Sequence, residues 1–165
     1  TDYKSFESTP LKLHVKHKVT HQINYAQADA TKLDFEANSF DIVIFKSMVG
    51  ALGTPNKQQL AFDEAYRVLK PGGILIYAEN LKATKVHQWA RNRFTSWGER
   101  WYYPSIKELI GYSKNFESFQ YKTIGFLSPF GRSEKQRKAL SKFDHFFAPI
   151  IPKSWKYILI SIARK

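Results

Sequence analysis

One acidic residue stands where a carboxylate could bind a ligand. Asp29 lies between Ala28 and Ala30, at the end of a predicted strand, Ile23–Ala28. A carboxylate at the end of a strand is a hydrogen-bond acceptor that suits the exocyclic amino group of a ligand. The same carboxylate could instead cap the short turn at Thr31 to Leu33. The residues alone leave both roles open.

Aromatic and arginine side chains are interleaved in the segment Trp89–Tyr103. Arginine suits phosphate or carboxylate, and aromatic rings suit sugars, lipids or bases. An acceptor site is one interpretation, and helix packing with a solvated basic face is the other. The side chains concerned are Trp89, Arg91, Arg93, Phe94, Trp97, Arg100, Trp101, Tyr102 and Tyr103.

Three further residues are base candidates by position only, and we assign no catalytic base. Glu79 ends a predicted strand, where substrates often bind, and Tyr77 lies two residues before it. His87 falls on the polar side of a predicted helix, and we expect it at the surface. The chain has no cysteine, which excludes disulfides, thiolate metal sites and a cysteine nucleophile. We predict no metal site.

A strand–helix–strand unit must position these residues. Phe40–Phe45 is a continuous apolar run with β-branched residues, typical of a strand that is covered on both faces in a parallel sheet. Thr54-Pro55 predicts the start of a helix, and Pro71-Gly72-Gly73 predicts its end. Ile74–Ala78 is the next predicted strand. We expect a right-handed crossover between the two strands.

The other predicted elements fit one α/β domain over residues 1–165. They are a short basic helix from Thr9-Pro10 to Val19, an amphipathic helix from Val86 to Trp97, a short helix from Pro104 to Tyr112, a strand from Ser118 to Leu127, a helix from Ser133 to Phe143 and a last strand from Trp155 to Ala163. We see no internal repeat, low-complexity tract or linker.

The order of these elements and three signatures resemble the class I S-adenosylmethionine-dependent methyltransferases. The signatures are Ala28-Asp29-Ala30 with Leu33 and Phe35, then Asn38–Ile44, then Glu64–Leu75. The last signature resembles the family's helix, turn and fifth strand, and is structural in the family. The resemblance covers Ala28 to Ile76 well and the remainder loosely. It implies a Rossmann-like, mostly parallel sheet with an antiparallel last strand.

The resemblance also implies S-adenosylmethionine as the cofactor and a set of site residues. Asp29 would accept a hydrogen bond from the adenine amino group, and Asp2 would bind the ribose hydroxyls. Lys46 opens the segment that would lie near the transferring methyl group. Segment 80–112 would form a lid over the acceptor. The cofactor set is Asp29, Ala28, Ala30, Leu33, Asp2 and Lys46, and the acceptor set is Glu79, Arg91, Arg100 and Trp101.

The family's glycine-rich loop after the first strand has no counterpart in this sequence. Gly50 and Gly53 follow a different strand, so we expect the first strand and helix of the fold to be lacking. The strand Phe40–Phe45 would then present an unpaired edge, which folded proteins avoid. An upstream segment, a dimer or partner chain that supplies the strands, and a truncated relic are the explanations, and we favour the first.

The net charge of +12 favours anionic partners, including an anionic membrane surface. A solvated basic surface with no dedicated partner is the alternative. The Asn-Pro-Pro-Tyr and Asp-Pro-Pro-Tyr motifs, which in the family mark methylation of nucleic-acid bases, are absent. We therefore expect an oxygen or carbon acceptor on a small molecule and no specific nucleic acid.

Residues Thr1–Thr9 lack the apolar core of a signal peptide, and no stretch reaches the roughly 20 apolar residues of a membrane helix. We expect a cytoplasmic location. The predicted function is methyl transfer from S-adenosylmethionine to a small-molecule or conjugated acceptor that carries a sugar, lipid or phosphate. The alternative is a catalytically inactive, methyltransferase-like module that binds nucleic acid or a protein partner.

Overall fold

The computed structural model describes residues 15–18, 22–94, 101–131 and 133–165. This part of the chain forms four strands, four helices with described bounds and three short 3-10 turns. The elements are β1 (Phe40–Lys46), α1 (Pro55–Val68), β2 (Leu69–Asn80), α2 (Lys85–Phe94), α3 (Ile106–Tyr112), β3 (Ser118–Ile124), α4 (Glu134–Phe147) and β4 (Ile158–Arg164). The 3-10 turns span Val49–Leu52, Ser128–Phe130 and Lys153–Trp155.

The four strands form one mixed sheet in the order β1-β2-β4-β3. β1 pairs with β2 in parallel, whereas β4 is antiparallel to both of its neighbours, β2 and β3. β1, β2 and β3 therefore run in one direction and β4 runs against them. The predicted antiparallel last strand is confirmed. The predicted mostly parallel sheet holds for strand direction but not for pairing, because one of the three described pairs is parallel.

The β1–α1–β2 unit is built as the sequence predicts. Thr54 caps α1 by accepting a hydrogen bond from the Lys57 amide at 3.4 Å, and Pro55 occupies the first turn. The strand β2 begins directly at Leu69 and carries the predicted helix stop within it. Gly72 adopts a left-handed φ of 77° there, which a glycine accommodates without strain. Pairing with β1 becomes regular only after this bend.

One face of the sheet carries the core. Phe62 of α1 packs edge-to-face on Tyr77 of β2, with ring centroids 5.1 Å apart. The opposite face leaves Ile42 and Ile44 of β1 exposed, Ile44 by 69%. The prediction that this strand is covered on both faces is therefore wrong for the described structure. The buried apolar cluster consists of Val49, Phe62, Ala65, Leu69, Leu75, Tyr77, Leu81, Leu109, Tyr112, Phe116, Leu159 and Ala163.

The edge of the sheet at β1 is unpaired, and a strand predicted earlier in the sequence is absent from the described structure. Within the described residues β1 has β2 as its single neighbour, so its other edge is unpaired as expected. The predicted strand Ile23–Ala28 is described as irregular chain and not as a strand. Strand geometry is stabilised by a hydrogen-bonded neighbour, and no described segment pairs with Ile23–Ala28.

The remaining elements agree with the sequence in type and differ at their ends. β3 stops at Ile124 because Gly125 follows in a left-handed conformation against the Tyr157 ring. Helix α4 continues to Phe147, one turn beyond the predicted end. Most of the predicted helix at Thr9-Pro10 to Val19, and the predicted end of the Val86–Trp97 helix, lie outside the described residues. The single-domain division and the lid over 80–112 stay predictions.

None of the helices in the described ranges is both long and apolar enough to cross a membrane.

Candidate functional site

The backbone of the loop after β1 is fixed by hydrogen bonds to a buried glutamate. Glu79 is 1% exposed, and its Oε1 accepts hydrogen bonds from the amides of Met48 at 2.7 Å and Val49 at 3.1 Å. The loop begins at Ser47, whose φ of 51° is unusual for a residue other than glycine. Burial raises the pKa of Glu79, and the backbone hydrogen bonds partly offset this rise. The other carboxyl oxygen, Oε2, is buried with no hydrogen-bond partner among the described residues.

A buried glutamine joins this loop to the segment that follows α2. The amide of Gln58, on α1, donates to the carbonyl oxygens of Val49 at 3.0 Å and Tyr102 at 2.7 Å. The Tyr112 hydroxyl donates back to the Gln58 carbonyl at 3.3 Å. The Tyr102 amide also donates to the carbonyl of Gly50 at 3.0 Å. The loop after β1 and the Tyr102 segment therefore form one hydrogen-bonded unit.

Above this unit lies a cleft of about 1050 Å³, at the carboxyl ends of β1 and β2. Ser47 and Asn80 lie at these strand ends, and the Asn80 amide donates to the Ser47 hydroxyl at 3.2 Å. The cleft wall is aromatic and basic, with several cations and one acidic residue. The lining residues are Ser47, Asn80, Arg91, Trp101, Tyr103, Ser128, Pro129, Glu134, Arg137, Lys138, Ser141, Lys142 and Tyr157. This position matches the general rule that ligands bind beyond the carboxyl ends of parallel strands.

Arg91 and Trp101, both predicted to contact the acceptor, line this cleft. The Arg91 guanidinium lies 4.1 Å from the centre of the Tyr103 ring and donates to the Leu81 carbonyl at 2.7 Å. Glu79, the third predicted contact, faces the loop amides and not the cleft. Arg100 lies outside the described residues. The structure thus brings together two of the four predicted residues.

The loop that carries Asp29 is anchored on α1 by an ion pair. Glu64 and Arg67 are 2.7 Å apart, and Glu64 accepts the Leu33 amide at 2.7 Å. Arg67 donates to the carbonyls of Leu33 at 2.9 Å and Phe35 at 2.8 Å. The signature Glu64–Leu75, which contains this pair, was predicted to be purely structural, so the role of the pair in fixing the Asp29 loop was missed. The sequence does indicate this ion pair, because Glu64 and Arg67 are opposite charges three positions apart on a predicted helix.

Asp29 itself is exposed and caps its own turn. Its Oδ1 accepts the Thr31 amide and the Thr31 hydroxyl, both at 2.8 Å. These bonds lower the pKa of Asp29, with a smaller contribution from Lys57. The turn-capping role is therefore observed. An ionised, exposed carboxylate is also a suitable acceptor for an amino group, so the predicted adenine contact stays a prediction.

The other predicted cofactor residues differ in their placement. Ala28 is exposed, whereas Ala30 and Leu33 are partly buried beside Asp29. Lys46 ends β1 and is exposed, on the sheet face that also carries Ile44 and outside the described cleft lining. Asp2 lies outside the described residues.

The expectation that His87 lies at the surface is wrong. His87 is 2% exposed, because this side of α2 packs against Phe126, Phe130 and Tyr157. Its Nε2 lies 2.7 Å from the Phe126 carbonyl, which can only accept, so Nε2 carries the proton and Nδ1 accepts from the Thr84 hydroxyl at 2.7 Å. Burial lowers the pKa of His87. Both ring nitrogens are thus occupied.

The remaining base candidate is part of the core. Tyr77 is buried, and burial raises its pKa to about 12. Its hydroxyl lies 3.4 Å from the Ser113 hydroxyl. Across the described ranges, no group of three histidine, aspartate or glutamate side chains is placed to hold a metal ion.

A parallel β1–α1–β2 unit with a cleft beyond its strand ends, beside an antiparallel β4, defines a Rossmann-like ligand-binding fold. Comparison with known proteins shows which family this part of the chain resembles. Residues 6–77 match the model of the family described as methyltransferase domain. Over residues 6–77 the chain is therefore similar to this methyltransferase family, which agrees with the predicted resemblance.

Individual relatives support this assignment over part of their length. A demethylmenaquinone methyltransferase from Leptospira interrogans is 33% identical over 112 residues, which cover 65% of this chain and 41% of the relative. The chain spans between 26% and 41% of the length of the first curated relatives it matches.

Solved structures share the fold at low sequence identity. A methyltransferase from Thermotoga maritima, described as a possible histamine N-methyltransferase, matches with a TM-score of 0.62 and 18% identity, over 90% of this chain and 68% of that chain. The phosphoethanolamine N-methyltransferase 2 of Haemonchus contortus, solved in complex with S-adenosyl-L-methionine, matches with a TM-score of 0.61 and 17% identity, over 94% of this chain and 40% of that chain.

Proposed function

We propose that this chain serves methyl transfer from S-adenosylmethionine to a small-molecule or conjugated acceptor that binds in the cleft above Ser47 and Asn80. The observation that carries the proposal is the cleft itself. It combines the strand ends that bind ligands in this fold with aromatic and cationic walls. The loop at its base is fixed by Glu79 and Gln58, so the residues that face the ligand are pre-positioned.

The Asp29 side of the sheet fits the adenosine part of the cofactor. Asp29 offers an ionised carboxylate, and the Glu64–Arg67 pair fixes the loop on which it lies. Ala30 and Leu33 provide a small, partly apolar surface beside it. Bound S-adenosylmethionine supplies a methyl group on a positively charged sulfur. No described residue supplies a glycine-rich loop for the methionine part of the cofactor, so that part of the site is not assigned.

The chain's own contribution to the reaction is positioning. The three base candidates are all buried, and the bonds of His87 and Glu79 go to the protein itself. Holding an acceptor in line with a methyl donor and excluding water supplies most of the acceleration that this reaction needs. We therefore expect an acceptor whose carbon or oxygen is already nucleophilic, such as an electron-rich ring or an anionic oxygen.

The walls of the cleft favour an acceptor with an anionic group and an apolar or ring portion. Arg91, Arg137 and Lys142 suit phosphate or carboxylate, while Trp101 and Tyr103 offer ring faces. The names of the relatives above, which refer to demethylmenaquinone and phosphoethanolamine, are compatible with this class. A cytoplasmic location, and a dimer or partner chain that completes the sheet, stay proposals.

Isothermal titration calorimetry of the full-length protein with S-adenosylhomocysteine tests the cofactor assignment. We expect binding, and Asp29→Ala should weaken it by about tenfold, since one hydrogen bond to a charged group is worth about 1.5–3 kcal/mol. Asp41→Ala is the matched control, because Asp41 is an exposed carboxylate that pairs with Lys70 and not with the Asp29 loop. No binding of S-adenosylhomocysteine, together with a salt-dependent gel shift of RNA or DNA, would replace this proposal by the inactive binding module.

A further inference from the structure

Helix α4 carries an exposed stripe that the proposed reaction does not use. Its members recur every three or four residues, so they lie on one face of the helix. The stripe is basic in the first part of the helix and aromatic at the end, and it lines a groove of about 710 Å³. The stripe consists of Lys135, Lys138, Ala139, Lys142, Phe143, Phe146 and Phe147.

The stripe cannot turn inward, because the helix is fixed by a buried aspartate. Asp144 accepts the amides of Leu127 at 2.6 Å and Ser128 at 3.0 Å. Phe146 is consequently 77% exposed, and Ile150, just beyond the helix, is 76% exposed. Large apolar side chains exposed together mark interaction surfaces.

We propose that this stripe docks the protein on an anionic lipid bilayer. Helices that lie in a membrane interface combine bulky apolar residues with lysines, and the stripe on α4 has both. The lysines match the negative surface of such a bilayer, and the phenylalanines match its acyl boundary. Nearby acidic charge is small, because Asp144 is buried and Glu134 lies 3.6 Å from Lys138 in an ion pair.

A second copy of the chain fits this surface less well. A symmetric contact between two copies places the same patch against itself. Each copy would then bring the lysines at positions 135, 138 and 142 into the same interface. Like charges brought together at an interface oppose association, whereas an anionic bilayer attracts them.

The stripe adjoins the proposed acceptor cleft. Lys138 and Lys142 line both the groove on α4 and the cleft that contains Ser47 and Asn80. A protein docked through α4 would therefore hold the cleft beside the bilayer, where an amphiphilic acceptor could enter. This delivery of an acceptor rests on the proposed function, whereas the docking itself does not.

Vesicle flotation of the full-length protein tests the docking. The probes are vesicles of phosphatidylcholine alone and vesicles of phosphatidylcholine and phosphatidylglycerol in equal amounts. We expect binding to the second kind, weaker at higher salt, and a loss of about tenfold or more with Phe146→Ser. Leu60→Ser, on an exposed position of α1, is the matched control and should bind like the wild type.

A charge reversal separates the electrostatic contribution. Lys135→Glu should weaken binding to the anionic vesicles, whereas Lys107→Glu, the same change on the exposed side of α3, should leave nearly all of it. Melting temperatures of all variants confirm that each is folded. Calorimetry with S-adenosylhomocysteine on the same variants reports on the cofactor site independently, so a failure of the docking is distinguishable from a failure of the proposed function.

Two outcomes would overturn the proposal. One is an absence of binding to either kind of vesicle, or binding that Phe146→Ser and Lys135→Glu leave unchanged. The other is concentration-dependent dimerisation in analytical ultracentrifugation that Phe146→Ser abolishes, in the absence of vesicle binding. The second result would assign the stripe to a second copy of the chain.

Discussion

The Glu79 carboxyl group holds the Met48 amide at 2.7 Å while it is almost completely buried. The same oxygen accepts the Val49 amide at 3.1 Å, so one side chain at the end of β2 fixes the loop at the end of β1. Burial raises the pKa of this carboxyl group. The loop at the base of the proposed cleft is therefore hydrogen-bonded to the Glu79 carboxyl, whose ionised form is disfavoured by burial.

The pH dependence of stability should report this coupling. A carboxyl group whose pKa is higher in the folded state binds more protons when folded. Its contribution to stability is present at low pH and falls as the pH rises above 4.5, the ordinary value for glutamate, through the raised pKa. Glu79→Gln keeps an oxygen for the two loop amides and cannot ionise. Thermal melts between acidic and neutral pH should show this decline in the wild type and less of it in Glu79→Gln.

Glu79→Ala should behave differently, because it leaves the amides of Met48 and Val49 buried without an acceptor. We expect a loss of roughly 1–3 kcal/mol in the free energy of unfolding, measured by urea denaturation at neutral pH. Equal stability of Glu79→Ala and Glu79→Gln would show that the two hydrogen bonds contribute nothing. A dependence of the melting temperature on pH that is the same in the wild type and in Glu79→Gln would show that Glu79 does not titrate in this range.

The Asp29 loop should depend on Arg67 even though Arg67 is not placed at the ligand. Arg67→Lys keeps the charge but loses the two-pronged contact with the carbonyls of Leu33 and Phe35. We expect the affinity for S-adenosylhomocysteine to fall by about five- to tenfold, since each hydrogen bond is worth about 1 kcal/mol. Lys70→Arg, the reverse exchange at an exposed cation that pairs with Asp41, is the charge-conserving control. The same affinity in Arg67→Lys and wild type would dissociate this anchor from the cofactor site.

The buried His87 should make the protein sensitive to acid. Its pKa is lowered by burial, so between that value and 6.5, its ordinary value, the unfolded chain binds more protons than the folded one. Stability therefore falls as the pH drops below about 6.5. His87→Gln should melt at a lower temperature at pH 7.5 and lose less on acidification to pH 5.5. His145→Gln, on the exposed side of α4, should retain the wild-type dependence.

Periodicity and turn residues predicted the β1–α1–β2 unit because its signals are local. Thr54 and Pro55 act within a few residues of themselves and begin α1 as predicted, whereas Gly72, predicted in the helix stop, lies in a bend within β2. His87 was misplaced for the opposite reason. Its surroundings come from the segment around Phe126, whose position depends on the whole sheet, and no property of α2 alone reveals it.

The candidate site divides in the same way. A resemblance in sequence drew attention to Asp29, Arg91 and Trp101, and the last two indeed line one cleft. The residues that hold the site together were missed, because Glu79 and Gln58 act on backbone groups that are distant in sequence. Glu79 was expected at the acceptor, yet its contacts are to the loop after β1. Backbone hydrogen bonds of this kind leave no pattern that can be recognised in a single sequence.

Gln58 offers the sharpest test of this internal support. Its amide donates to the carbonyls of Val49 and Tyr102, and the residue is completely buried. Gln58→Glu replaces that donor by a carboxylate that can only accept, so two buried carbonyls would face a negative charge. We expect a loss of more than about 3 kcal/mol in the free energy of unfolding at neutral pH. The loss should shrink as the pH falls, because the protonated acid regains one donor. Gln59→Glu, one residue along α1 and only half-buried, should cost far less. A Gln58→Glu protein as stable as Gln59→Glu at neutral pH would mean that the loop after β1 does not depend on this clamp.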